Sequence, residues 1–275
     1  MASESATKKD QPKIKVYWLN DSRAQRVLWL LEELHLDYEL EIFYRNKDML
    51  APPDLAKVHP LGKSPVVTLT YPSNYPTTTT MQPDKTIVLA ESGFIFQYLT
   101  EHFGNDTNLL PKRYPDDAEG VVGAETEAWM RYQYYLHYTE GSFQPALLVA
   151  LVLNILKGPQ IPFLIRPITG FVASKFYDNF VTPYIANHLS FIQSQLESAP
   201  DGGPYLCGKH LTAADILLNF PLGLVHDRLG DIKLNGEKVV DKYPKVWEYL
   251  QRLQGHDGYK RAEKRIEEVE ARNKK

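Results

Sequence analysis

The chain has 275 residues, of which 43% are hydrophobic and 24% charged, with a net charge of −3. That balance describes a globular protein of one large or two medium domains and gives no basic excess for nucleic acid. One cysteine, Cys207, excludes an intramolecular disulfide and fits a reducing compartment, most simply the cytosol.

The first twelve residues are polar, lack an apolar segment and read as a disordered tail (1–12) rather than a signal peptide. "IKVYWL" from Ile14 is a β-rich run. After it, Val27, Leu30, Leu31 and Leu34 recur at i, i+3, i+4 and i+7, which predicts one apolar helix face. "DYELEIFY" from Asp37 alternates as a second strand, so a parallel βαβ unit is expected. A Pro-bounded stretch with a short helical piece follows, then "SPVVTLTY" and "TIVLA" as two more strands. The Pro- and Thr-rich residues 71–85 between them read as an exposed, mobile insertion. "ESGFIFQYLTEHFG" predicts an amphipathic helix ending at Gly104.

Beyond residues 105–114, read as a linker, no strong strand signal remains, and 115–275 predicts an all-helical domain. "PALLVALVLNIL" (Pro145 to Leu156) is the longest apolar run; it falls short of the ~18 residues of a membrane span, and a buried helix is expected there. "HLTAADI" places Thr212 at an N-cap and Asp215 three residues on, a capping box with Asp for the usual Glu, with Leu211 and Ile216 as a staple. "YPKVWEYLQRLQG" carries Pro244 near its start and Gly255 at its end. The mixed charges after Gly255 read as a solvated helix or a frayed tail.

Four stretches in this order resemble glutathione transferases. "SRAQRVLWLLEEL" is similar to the first turn and helix of that family's thioredoxin-like domain. "HPLGKSPVV" is similar to its N-P-x-G-x-V-P segment, with His59 where many relatives have Asn and Ser64 where many have Val. "LAESGFIFQYL" is similar to E-S-x-x-I-x-x-Y-L, and "YLCGKHLTAADI" to the Y-L-x-G-x-x-x-T-x-A-D segment of the helical domain. The "NDSRAQR" opening resembles the serine-type fungal and bacterial branch. The resemblance implies an α/β plus all-α fold: a thioredoxin-like glutathione-binding domain over 13–104 and a C-terminal helical bundle.

It also implies a site. No cysteine stands at the start of the first helix, where a thioredoxin-like domain carries its redox pair. The thiol must then come from glutathione as co-substrate, with no metal. Pro65 is expected cis, as in the family, with the Ser64 main chain pairing like a strand edge with the cysteinyl backbone. Glu91 and Ser92 open a helix whose N-terminus attracts the γ-glutamyl carboxylate, Glu91 meeting the ammonium, while Lys63 neutralises a glutathione carboxylate. Ser22 is either a helix cap or the hydroxyl donor that favours the thiolate, and the two roles can coexist. Asn20 and Tyr17 are the competing donors, and Arg26 reads as structural.

Tyr134 and Tyr138, one turn apart, are candidates for an electrophile pocket expected between the domains. Cys207 reads as a small buried filler. His35, His137 and His188 lack metal-ligand spacing. The implied activity is conjugation of the glutathione thiolate to small hydrophobic electrophiles by a cytoplasmic homodimer, with hydroperoxide reduction as a side activity. A non-catalytic binding or regulatory relative is the alternative. A thiol reductase is disfavoured, because that chemistry is usually run by a cysteine where Ser22 stands. Membrane contact is not expected.

Overall fold

A computed structural model describes residues 11–72, 86–230, 232–234 and 236–273. Residues 1–10 of the predicted tail and 73–85 of the predicted insertion lie outside them. The chain divides into two compact units. One comprises residues 1–104 and 256–275, the other 105–255.

The first unit is built on a four-stranded sheet in the order β2-β1-β3-β4. β1 (Lys13–Leu19) runs parallel to β2 (Tyr38–Phe43), the crossover being α1 (Gln25–Glu33). β3 (Val66–Thr70) is antiparallel to β1 and to β4 (Thr86–Ala90). A short α2 (Leu55–Val58) precedes β3, and α3 (Ser92–Phe103) follows β4. Period-2 burial along β1 puts Ile14, Val16 and Trp18 inside, where α1 contributes Val27, Leu28, Leu30 and Leu31 and α3 contributes Ile95, Phe96 and Leu99.

The last helix belongs here and not to the helical domain. α10 (Asp257–Asn273) packs against α1 and β2. Trp29 meets the Tyr259 ring edge-on at 5.3 Å, Ala262 is fully buried, and Arg261 Nε donates to Glu32 Oε2 at 3.0 Å. The expected all-helical domain to residue 275 is therefore corrected to end at Gly255. The charge mixture of α10 hid the one apolar seam, Tyr259 and Ala262, that docks it.

The second unit holds α4 (Glu127–Tyr138), α5 (Gln144–Lys157), α6 (Arg166–Phe176), α7 (Thr182–Glu197), α8 (Ala213–Leu229) and α9 (Pro244–Gln254). π-helical turns at Thr139–Phe143 and Tyr177–Val181 join α4 to α5 and α6 to α7 without a break. The predicted capping box is formed: Asp215 accepts from Thr212 N–H at 2.8 Å and Thr212 Oγ1 at 2.6 Å. Two-residue strands, β5 (Lys233–Leu234) and β6 (Glu237–Lys238), form a small hairpin that the sequence reading left out.

Two expectations are corrected. Residues 105–114 are packed into this unit rather than linking: Leu109 is buried and its carbonyl accepts from Ala213 N–H at 3.0 Å. The apolar run of α5 is not a buried helix. Ala146, Leu147 and Ala150 are buried, whereas Leu148, Val149, Val152 and Ile155 are exposed. Apolar residues occupy every side of α5, and the unit covers one side. Together with α4 it makes a continuous 31-residue helix, Glu127–Lys157, long and apolar enough by length and composition to cross a membrane.

Candidate functional site

In the first unit a small cleft is lined by Arg23, by His59, Leu61, Lys63, Ser64 and Pro65 from the segment entering β3, and by Ala90, Glu91 and Ser92 where β4 passes into α3. Sheet order explains the convergence. β3 and β4 are neighbours, with Val66 opposite Ala90 and Tyr17, so the residue before β3, the residue after β4 and the end of β1 meet at one end of the sheet.

The Ser64–Pro65 peptide bond is cis. Ser64 is 8% exposed, and its hydroxyl donates to the Tyr17 carbonyl at 2.8 Å, which fastens this turn to β1. Among the described residues no main-chain bond engages the Ser64 N–H or carbonyl. The hydroxyl is thus spent on structure while the peptide groups keep their pairing capacity.

Glu91 caps α3 at φ 68°, in the positive region that residues with a side chain rarely adopt. The first main-chain bond of α3 runs from Ile95 N–H to the Glu91 carbonyl at 2.9 Å, so the N–H groups of the first turn are donors with no intrahelical partner. Ser92 opens the helix at 2% exposure, and its hydroxyl accepts from Arg26 Nη2 at 3.4 Å. Arg26 is fully buried and also donates through Nε to the Arg23 carbonyl. This guanidinium adds positive charge beneath a helix end that already carries it.

Ser22 lies in the turn between β1 and α1. Its Oγ accepts from Ala24 N–H at 3.2 Å, just ahead of α1, which begins at Gln25. The capping contact uses a lone pair and leaves the hydroxyl proton able to donate elsewhere. Asn20 is committed to the fold: its Oδ1 accepts from Arg45 N–H at 2.7 Å and its carbonyl from Arg45 Nε at 3.1 Å. The turn residue between them, Asp21, sits at φ 50°, which a short polar side chain tolerates. Tyr17 places its ring 6.4 Å from Phe43, with Lys15 Nζ 5.2 Å from its centroid, on the face of β1 opposite the buried Val16 and Trp18.

The sequence reading missed three contributors. Arg23 and His59 line the cleft, and Arg45 clamps the turn from across β2. Arg45 lies 25 residues from Asn20 and has no motif spacing to announce it. Arg26 was read as structural; the added finding is its reach to Ser92.

In the second unit Tyr134 is 50% exposed and stacks on Tyr138 at 5.6 Å. Tyr138 is buried, and its hydroxyl pairs with His188 Nδ1 at 2.6 Å. Cys207 is buried, its sulfur 3.6 Å from Thr212 Oγ1, and burial pushes its thiol well above the ordinary range. It is not an activated nucleophile.

Comparison with known proteins places the chain in a family. Residues 22–102 match the family model for the glutathione S-transferase N-terminal domain, and 172–261 match that for the C-terminal domain. The chain is 33% identical over 248 residues to glutathione S-transferase 1 of Saccharomyces cerevisiae, covering 90% of this chain and 93% of that protein. This chain belongs to the glutathione S-transferase family. Among solved structures, a glutathione S-transferase of Actinobacillus pleuropneumoniae superposes with TM-score 0.61 at 27% identity, covering 92% of each chain. A glutathione transferase of Phanerochaete chrysosporium, solved with oxidized glutathione, superposes with TM-score 0.65 at 15% identity, covering 98% of this chain and 99% of that one, a likeness of fold.

Proposed function

We propose that this glutathione S-transferase binds glutathione in the Ser64–Ser92 cleft and transfers its thiolate to small hydrophobic electrophiles. The observation that carries the reading is the pairing of free Ser64 peptide groups with the open N-terminus of α3 in one cleft. Glutathione brings an extended main chain, two carboxylates and one ammonium. Its cysteinyl backbone pairs with Ser64, and its γ-glutamyl carboxylate takes the first N–H groups of α3 at Ser92. Glu91 meets the ammonium, and Lys63 meets the glycyl carboxylate. These anchors direct the sulfur toward the N-terminus of α1, where the Ser22 hydroxyl donates to the thiolate. A free thiol of pKa ~8.5 is a few per cent ionised near neutrality, and one hydrogen bond to the anion raises that fraction.

The sulfur lone pair then forms the S–C bond, and the electrophile's leaving group departs with the bonding electrons. A hydroperoxide oxygen offers the same thiolate an alternative target. On the second unit Tyr134, with Tyr138 stacked behind it, is the aromatic surface proposed for the electrophile. The active form is proposed to be a homodimer.

Retention on immobilised glutathione, followed by turnover of a chromogenic aryl halide, tests the reading. Binding with turnover is expected. Binding without turnover assigns the chain to the non-catalytic alternative, and absence of both removes the cleft assignment.

A further inference from the structure

The second unit exposes an apolar surface that the proposed transfer chemistry does not use. On α5, Leu148, Val152 and Ile155 fall at i, i+4 and i+7, one stripe of the helix, and all three are exposed. On α6, Ile168, Phe171, Val172 and Phe176 repeat the pattern, again exposed. α5 and α6 pack together, and the turn between them carries the two most open apolar side chains of this hairpin, Phe163 at 78% and Leu164 at 83% exposure. Arg166 closes that turn, donating through Nη2 to the Pro159 carbonyl at 3.1 Å and to the Ile161 carbonyl at 2.9 Å. Phe163 and Leu164 are therefore held out by a braced loop.

Charge identifies what covers this surface. From Phe143 to Leu196 the sequence carries Lys157, Arg166 and Lys175 against one carboxylate, Asp178, in a chain whose net charge is −3. Lys157 and Lys175 are exposed beside the apolar stripes. An isologous contact with a second copy would lay this cationic patch against itself. A surface of anionic headgroups over acyl chains complements both parts at once.

Length decides between lying on and crossing a bilayer. An apolar window in the helix Glu127–Lys157 has mean hydropathy 1.4 and is 22% buried, unlike a core helix. Its first half, however, buries Tyr132 and Tyr135 in the unit and carries Arg131, which donates to the Gln195 carbonyl. The free part is α5, whose 14 residues extend ~21 Å at 1.5 Å per residue, short of a ~30 Å hydrocarbon core.

We propose that the α5–α6 hairpin docks this protein on an anionic lipid bilayer, with Phe163 and Leu164 entering the acyl boundary and Lys157, Arg166 and Lys175 at headgroup level. The test is co-sedimentation of the full chain with vesicles of phosphatidylcholine alone or with 30% phosphatidylserine. Wild type is expected to pellet with the phosphatidylserine vesicles at least tenfold more than with phosphatidylcholine, and to be released by 0.5 M salt. The double variant Phe163→Asp, Leu164→Asp is expected to lose this binding while keeping wild-type circular dichroism and aryl halide turnover. The pair Lys157→Glu, Lys175→Glu is expected to remove the phosphatidylserine preference. Failure of wild type to bind, or full binding by the Phe163/Leu164 variant, overturns the proposal. So does a dimer, seen by sedimentation velocity, that dissociates in that variant while wild type ignores vesicles.

Discussion

The Ser22 hydroxyl accepts one hydrogen bond and still owns a proton, and that division sets what its removal does. Ser22→Ala is expected to cost about 1 kcal/mol of stability through the lost cap. It is also expected to raise the pKa of bound glutathione by about one unit, equivalent to ~1.4 kcal/mol. Aryl halide kcat/KM near pH 6.5 should then fall about tenfold, the gap closing as pH rises past the thiol pKa, while glutathione affinity changes little. A difference spectrum of the bound thiolate across pH measures the shift directly; an unmoved midpoint removes Ser22 from that role. Glu91→Gln should behave oppositely, raising KM for glutathione about tenfold with kcat nearly unchanged, because a charge-assisted bond of ~1.5–3 kcal/mol is lost from both ground and transition states. At this scale local motifs carry Ser64-Pro65 and Glu91-Ser92, which the fold brings to one cleft, while Ser22 is not among the residues lining it. The sequence left three donors competing at the first turn. Arg45 binding Asn20 and the placement of Tyr17 against Phe43 are long-range facts with no local pattern to announce them.

Individual elements were legible where one period dominated. Val16, Trp18 and their alternates announced β1, and the 3.6 repeat announced α1. Thr212 and Asp215 announced the start of α8, and the structure adds what the motif could not: Asp215 is fully buried and also accepts from Leu206 N–H at 3.0 Å and the Tyr249 hydroxyl at 2.6 Å. Asp215→Ala should therefore cost far more than a cap, on the order of 3 kcal/mol, since several buried donors lose their acceptor; urea unfolding checks it. In α7, His188 is partly buried, and burial lowers its pKa. The unfolded chain then binds a proton more readily than the folded one. Stability is unaffected above the unfolded value of ~6.5 and falls as pH drops below it. Urea midpoints between pH 7.5 and 5.5 should show a fall that is smaller in His188→Gln. α5 was illegible for the opposite reason: with apolar residues all around, periodicity cannot say which side the protein covers.

The whole molecule is organised differently from the linear order of its signals. A composition change near residue 115 suggested that everything after it was one domain, yet α10 returns to the first unit. Ending the chain at Gly255 is expected to uncover Trp29 and weaken α1, seen as faster hydrogen exchange of α1 amides, with a supplied 256–275 peptide restoring protection. If the amides of α1 exchange as slowly without α10, the helix is an accessory rather than part of that unit.

That return has a consequence for synthesis. The first unit has both of its pieces only after residues 256–273 have been made, so the unit begun first is the one completed last. At about 5–20 residues per second, the outer face of α1 waits roughly 8–30 seconds while 105–255 are translated. During that interval the nascent chain shows chaperones a tryptophan-bearing helix face that the finished protein never presents.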